Sequence, residues 1–472
     1  MVFSSILFLL FFLPALFAAY FCVPKRFRAA RNAVLLSFSL FFYACGGTEY
    51  LPVLISSIAV NYLCGLLVSQ GQPPAVRRLG LWGAAAFGLG LLIWFKYAGF
   101  FAANLNALGA SLTVPQIVMP IGISFFTFQG LSYVIDVYRG NAACQRNPLR
   151  VALYVALFPQ LVAGPIVRYS TVENEITSRS ESRTEFAQGV VRFLFGLSKK
   201  MLLANVMGEV TDGVFALPAG RLTASLAWMG AAAYTFQIYC DFSAYSDMAI
   251  GLGRMFGFHF EENFNYPYIS KSVNEFWRRW HISLSTWFRD YVYIPLGGSR
   301  CTRGRNIFNL AVVWLLTGFW HGANWTFVLW GGWFLLLLLG EKFLWGGALE
   351  HLPGPLRHGY TMVAVILSWV LFRAPSLTYA GGYLAAMFGF GAGAADGHTL
   401  YLLLEYWPEW IVCILASLPV KRRLQQALAK RETVPAVLAR EWLPKLAALA
   451  LLGLSYMKLA TGSFNPCIYF QF

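Results

Sequence analysis

A long succession of apolar runs, separated by short polar connections, limits this chain more than any other feature. The runs fall at residues 3–21, 33–45, 51–68, 79–100, 117–137, 151–166, 187–206, 224–253, 306–320, 325–344, 359–373, 399–418 and 446–461. Of the 472 residues, 58% are hydrophobic and 12% charged, against roughly 25% charged in an ordinary soluble domain. No single core can absorb that much apolar sequence. The chain is therefore expected to be an all-α, polytopic membrane protein. Several runs fall short of the about 20 residues that a helix needs to cross hydrocarbon. Some must be tilted, re-entrant or paired, and about 11–13 membrane helices are expected, with short interfacial helices between them.

The formal charge of +15 would suggest nucleic acid in a soluble protein. Here no long solvated basic domain exists, and the bias of cytoplasmic loops toward Lys and Arg explains the charge. Lys25 to Arg31, Arg77-Arg78, Lys199-Lys200, the stretch 271–305 and Lys421 to Lys445 are expected to face the cytoplasm. The start of the chain lacks a positive n-region, and its basic cluster follows the apolar run, the reverse of a signal peptide. Residues 3–21 thus read as a retained first helix with its N-terminus outside. The last helix then places the tail outside as well, which requires an even number of spans; about twelve fits. Eight cysteines are scattered without a CxxC pair, so neither a disulfide framework nor a zinc site is supported. No HExxH, GxSxG or P-loop pattern occurs.

Polar islands interrupt the apolar runs. Phe158-Pro-Gln-Leu-Val-Ala-Gly164-Pro165 breaks a helix inside an apolar segment. The backbone groups freed there must meet protein or water, because lipid offers no partner. Asp241, Ser243 and Asp247 lie in an otherwise apolar helix. An intramembrane carboxylate marks either function or a bond that ties helices together, and the sequence leaves both open.

The stretch 271–325 holds the most chemistry. Trp277, Trp280, His281, Leu284 and Trp287 recur at helical spacing, with Arg278, Arg279 and Arg289 around the other side. This predicts an amphipathic helix in the cytoplasmic interface. Its arginines, with Arg300 after Gly297-Gly298, could hold the phosphates of a nucleotide-like donor. Further on, Trp320-His321-Gly-Ala-Asn324 follows an apolar run of only about 15 residues, which rise about 22 Å. That places His321 at membrane depth, where an imidazole can take and return a proton. Spacing alone also allows a loop histidine at the outer interface. The aromatic tail carries Tyr469 between Ile468 and Phe470, either a belt tyrosine or a phenol that can be acylated.

Taken together, Met1-Val-Phe-Ser-Ser5, Pro120-Ile-Gly-Ile-Ser-Phe125, Ala163-Gly-Pro165, Asp241-Phe-Ser-Ala-Tyr-Ser-Asp-Met-Ala-Ile-Gly251 and Glu262-Asn-Phe-Asn-Tyr-Pro-Tyr-Ile-Ser270 resemble the membrane-bound O-acyltransferase family. So do Phe276-Trp-Arg-Arg-Trp-His-Ile-Ser-Leu-Ser-Thr-Trp287, Trp320-His-Gly-Ala-Asn324 and Tyr469-Phe-Gln-Phe472. The resemblance runs from the first residue to the last, and its alginate O-acetylation branch fits best. Ala244 stands where that branch usually has glycine. The resemblance implies helices around a central channel in the bacterial cytoplasmic membrane. It implies His321 as the buried catalytic histidine and His281 as a second, cytosol-side one. Asn263 and Asn324 fall in its motifs as channel or structural polar groups. It implies no bound cofactor or metal, but acetyl-CoA or a carrier-bound thioester as co-substrate. A separate extracytoplasmic SGNH-type O-acetyltransferase would be the partner. Residues 1–420 would form the catalytic core. Residues 421–472 would form a basic connection, a last helix and a tail with Tyr469 as acyl carrier. Transfer to peptidoglycan or teichoic acid, D-alanyl transfer, and a proton-relaying transporter are the alternatives.

Overall fold

Lipid offers the backbone no partner, so an apolar run must satisfy its own N–H and C=O groups, and each run here gives rise to helix. The computed structural model describes residues 1–115, 117–162, 164–430 and 433–461, and every regular element among them is helical. Thr48–Leu67, Pro74–Ala107, Trp325–Phe343, Gly354–Arg373 and Val434–Ala460 are each long and apolar enough to cross a membrane. The pair Gly397–Glu405 and Trp407–Ser417, bent by 69°, adds a sixth if it counts as one span. Five or six is what length and composition support among the described residues. The expectation of about 11–13 rests on the shorter and more polar helices. The chain is a multi-pass, all-α membrane protein.

The last helix differs from expectation at its start. The apolar run 446–461 was too short to span, and the helix takes in the basic segment before it, running Val434–Ala460 through Pro444. A separate helix, Val420–Ala429, holds Lys421 to Arg423. Residues 462–472, and with them Tyr469, lie outside the described residues.

Two compact units divide the chain: Met1–Phe193 with Ser246–Glu261, and Leu194–Tyr245 with Glu262–Phe472. In the first, the expected break is seen, and neighbouring side chains bond two of its backbone groups. Phe158–Leu161 is a single buried turn. The Phe158 N–H donates to Ser39 Oγ at 3.1 Å, and Gln160 Nε2 donates to the Tyr154 carbonyl at 2.6 Å. The same unit gathers Arg28, Arg31 and Arg179 around one carboxylate, Glu181. Tyr20 donates its hydroxyl to that carboxylate at 2.5 Å. Burial alone would raise the Glu181 carboxyl, but hydrogen bonds from Arg28 and Tyr20 and the charges of Arg28 and Arg179 bring it down to about 2. Arg31, read above as a cytoplasm-facing cation, is 3% exposed and belongs to this node.

In the second unit, a tight helical hairpin sets the frame. Arg303–His321 packs against Trp325–Phe343. A Cβ on Gly318 would come within 2.5 Å of the Phe327 carbonyl oxygen, and one on Gly331 would strike the Trp314 carbonyl. Small residues let the two backbones touch, as is usual where lipid gives helices no other reason to associate. Asn324 starts the second helix: its Oδ1 accepts from the Thr326 N–H at 3.1 Å, and its Nδ2 donates to the Pro375 carbonyl at 3.3 Å.

Candidate active site

The stretch 271–290 is two short helices, Val273–Arg279 and Ile282–Phe288, not one amphipathic helix. The first is capped by Ser272, whose Oγ accepts from the Glu275 N–H at 3.0 Å. The break falls at His281, which has φ +44°, a left-handed conformation that costs a non-glycine residue about 1 kcal/mol or more. The reason is visible in the packing. Trp277, Trp280, His281, Leu284 and Trp287 are all buried, and the turn aims them into protein rather than along a lipid surface. Trp280 lies 5.0 Å from Trp369, and Trp277 lies 4.7 Å from Trp314 and 5.7 Å from Trp330 between ring centroids. Such pairs add about 0.5–1.5 kcal/mol each beyond area burial.

Asn263 holds the break in place. Its backbone carbonyl accepts from the Ile282 N–H at 3.0 Å. Its side-chain Oδ1 faces three groups: the Ser283 N–H at 3.1 Å, Ser283 Oγ at 2.9 Å and His281 Nδ1 at 3.2 Å. Only an oxygen can face a backbone N–H, so the amide orientation is fixed, and Nδ1 must be the protonated nitrogen of the neutral ring. Burial pushes His281 from the usual imidazole range down to about 3, which keeps it neutral. Nε2 is then a lone pair. It is buried, with no hydrogen-bond partner among the described residues.

His321 ends the helix Arg303–His321 and is 6% exposed, so it faces protein and not lipid. It meets Trp330 at 4.9 Å and Phe372 at 5.1 Å, both edge-on. Trp320 joins the two histidines: its ring lies 4.9 Å from His321 and 5.8 Å from His281. Phe242 of the long helix Ala224–Met255 packs on His281 from another side at 4.6 Å. The two imidazoles, 40 positions apart in sequence, thus share one aromatic wall. Such a wall excludes water and supports proton transfer by a neutral base.

The other expected residues fall into distinct places. Asp241 pairs with Lys200 at 2.7 Å, both side chains 6% exposed. Lys200 is therefore no surface cation, although its neighbour Lys199 suggested so; the carboxylate of the long helix draws it inside. Lys199 donates to Ser243 Oγ at 3.1 Å. Asp247 pairs with Arg192 at 2.9 Å. These carboxylates tie helices together. Arg279 is bound to Glu275 at 2.8 Å and Arg289 to Asp290 at 2.6 Å, while Arg278 and Arg300 are exposed. Gly297 and Gly298 take left-handed conformations in a turn. There the Gly298 carbonyl accepts from Asn306 Nδ2 at 2.9 Å and Asn309 Nδ2 at 3.1 Å. Among the described residues no group of three or more His, Cys, Asp or Glu is placed to hold a metal ion. Sequence reasoning missed Trp330, Phe372 and Lys200 as partners of the site residues. Nothing in their local spacing marks them, since each lies on a different helix.

A sequence model described as the membrane-bound O-acyltransferase family matches residues 145–380. A probable alginate O-acetylase of Azotobacter vinelandii is 40% identical over 511 residues, covering 100% of both chains. One from Pseudomonas aeruginosa is 37% identical, again over 100% of both. A peptidoglycan O-acetyltransferase of Helicobacter pylori is 32% identical over 100% of this chain and 98% of its own. The matched segment contains both histidines, Asn263 and the ion pairs of the long helix. With relatives this similar along its whole length, and a buried histidine pair inside the matched segment, the chain belongs to the membrane-bound O-acyltransferase family, within its alginate O-acetylation branch.

Proposed function

We propose that this enzyme takes an acetyl group from a cytosolic thioester, acetyl-CoA in the simplest case, and passes it across the bacterial cytoplasmic membrane for O-acetylation of an exported polysaccharide. One observation carries the reading: His321 is buried, ringed by aromatics and linked through Trp320 to a second buried histidine. The relatives' printed activities supply the acyl chemistry and the class of acceptor.

In the proposed reaction His321 takes the proton of an incoming hydroxyl while its oxygen attacks the thioester carbonyl. The carbon–sulfur bond breaks, and the imidazolium returns the proton to the leaving thiolate. The products are an ester and a free thiol. The aromatic wall keeps water from competing for the thioester. Arg278 and Arg300, exposed in the basic stretch, meet the donor's phosphates at the cytoplasmic face, with Arg279 and Arg289 beside them. Residues 421–472 form the delivery module: Tyr469 in the extracytoplasmic tail carries the acetyl group as an aryl ester to a separate SGNH-type transferase. A phenol with a pKa near 10 is a good leaving group for that onward step.

The test is release of free CoA from labelled acetyl-CoA by the purified enzyme in detergent. His321→Ala is expected to abolish release and acetylated product at normal protein level; full activity in that variant ends the mechanism. Tyr469→Phe is expected to leave no acyl adduct on the tail by mass spectrometry and to stop transfer to the partner. Unchanged transfer would demote the tail to an anchor.

A further inference from the structure

Neutral His281 presents a lone pair, not a proton, at the only nitrogen left open. Asn263 Oδ1 has already taken the Nδ1 proton, and it can do so only in this tautomer, because the Ser283 N–H fixes the amide's orientation. Three donors converge on that one oxygen, counting Ser283 Oγ. The backbone of Asn263 also grips the turn through the Ile282 N–H. A histidine at φ +44° stays put only when its surroundings over-determine it. Asn263 is 0% exposed, and so is His281, so water does not compete for either. Meanwhile Nε2 is buried and lacks a partner among the described residues. A buried acceptor without a donor is destabilising. A bound group that supplies an N–H or O–H recovers that cost.

We infer that Asn263 is a positioning residue that locks His281 with Nε2 as a hydrogen-bond acceptor for the substrate. The inference rests on the acyl-transfer reading above. In this state His281 cannot donate to an oxyanion. It holds a donor group instead: an amide N–H on the arm of an acyl-CoA, or the hydroxyl of the acyl acceptor. Holding the substrate in this way contributes orientation, while His321 moves the proton.

Two measurements test it. The first is kinetic, on the full-length enzyme in detergent. Asn263→Ala frees both tautomers and is expected to lower the rate of CoA release about ten- to a hundredfold, the scale seen when a metal-bound histidine loses the partner that orients it. Asn263→Asp offers an oxygen to the same Nδ1–H and is expected to keep most of the activity. Equal activity in Asn263→Ala and the unsubstituted enzyme would overturn the proposal. So would an Asn263→Asp variant that folds but is no better than Asn263→Ala.

The second measurement needs no Asn263 variant. In 15N-histidine-labelled enzyme, with the His281 signals assigned by their loss in His281→Gln, Nε2 is expected to resonate as an unprotonated nitrogen and Nδ1 as a protonated one. Coenzyme A shifting the Nε2 signal assigns the contact to the donor's arm; N-acetyltyrosinamide shifting it assigns the contact to a hydroxyl. A protonated Nε2, or no shift with either probe, sinks the proposal. If the unsubstituted enzyme releases no CoA at all, the acyl-transfer reading fails instead, and the nitrogen spectrum still reports the tautomer separately.

Discussion

At the scale of single residues, two buried clusters show how charge is kept inside this protein. Lys200 and Asp241 meet at 2.7 Å inside the second unit. Glu181 holds Arg28, Arg31 and Arg179 inside the first. Removing one member of such a group strands the others, which costs about 3–5 kcal/mol when they are buried. The Glu181 node makes a prediction with a sign. Its carboxyl is depressed from 4.5 to about 2 in the folded protein. The unfolded chain therefore binds its proton at higher pH than the folded one. The stabilisation is fully present above pH 4.5, falls as pH drops from there, and is gone below about 2. It amounts to about 3 kcal/mol. Thermal unfolding in detergent should show Glu181→Gln well below the unsubstituted protein at pH 7, with the gap narrowing toward pH 3. A gap independent of pH would remove the carboxylate's charge from the account.

Elements here are positioned by how closely their backbones approach. The helix that ends in His321 lies against Trp325–Phe343 because Gly318 and Gly331 have no side chain to hold the backbones apart. Trp330, on the second helix, then reaches the His321 ring at 4.9 Å. Substituting Gly318→Leu inserts a side chain where even a Cβ would be 2.5 Å from a carbonyl oxygen. The expected cost is about 1–3 kcal/mol in stability. CoA release should also fall more than tenfold, through displacement of His321 from its wall. Activity equal to that of the unsubstituted enzyme would show that the histidine does not depend on this crossing. The break between Val273–Arg279 and Ile282–Phe288 works differently. It turns a run of aromatics, evenly spaced as if for a lipid surface, into a buried cluster with His281 at its corner.

At the scale of the whole molecule, two exposed cysteines give a direct check on orientation; one of them follows the helix Arg28–Ala44. Cys45 follows that helix at the end away from the basic cluster Lys25 to Arg31, and Cys301 sits in the basic stretch after Gly298; both are exposed. In single-cysteine variants, a membrane-impermeant thiol reagent should label Cys45 from outside intact cells. It should label Cys301 only in inverted vesicles. The opposite pattern would reverse the orientation and move the basic stretch away from any cytosolic donor. The run of apolar segments, the helical class and the family motifs were all legible in the sequence, because each is written in residues close to one another. His321 and its burial could be expected from its motif and spacing, but not the side chains that bury it, since Trp330 and Phe372 come from other helices. The regular spacing from Trp277 to Trp287 even pointed to the wrong local shape. It encodes the apolar character of those side chains, which a lipid face and a protein interior satisfy equally well. Only the tertiary structure decided between the two. It also chose Asn263 as the partner of His281 and Lys200 as the partner of Asp241. Such choices depend on which groups come within about 3 Å of each other once helices pack, and neighbouring residues carry no record of that distance.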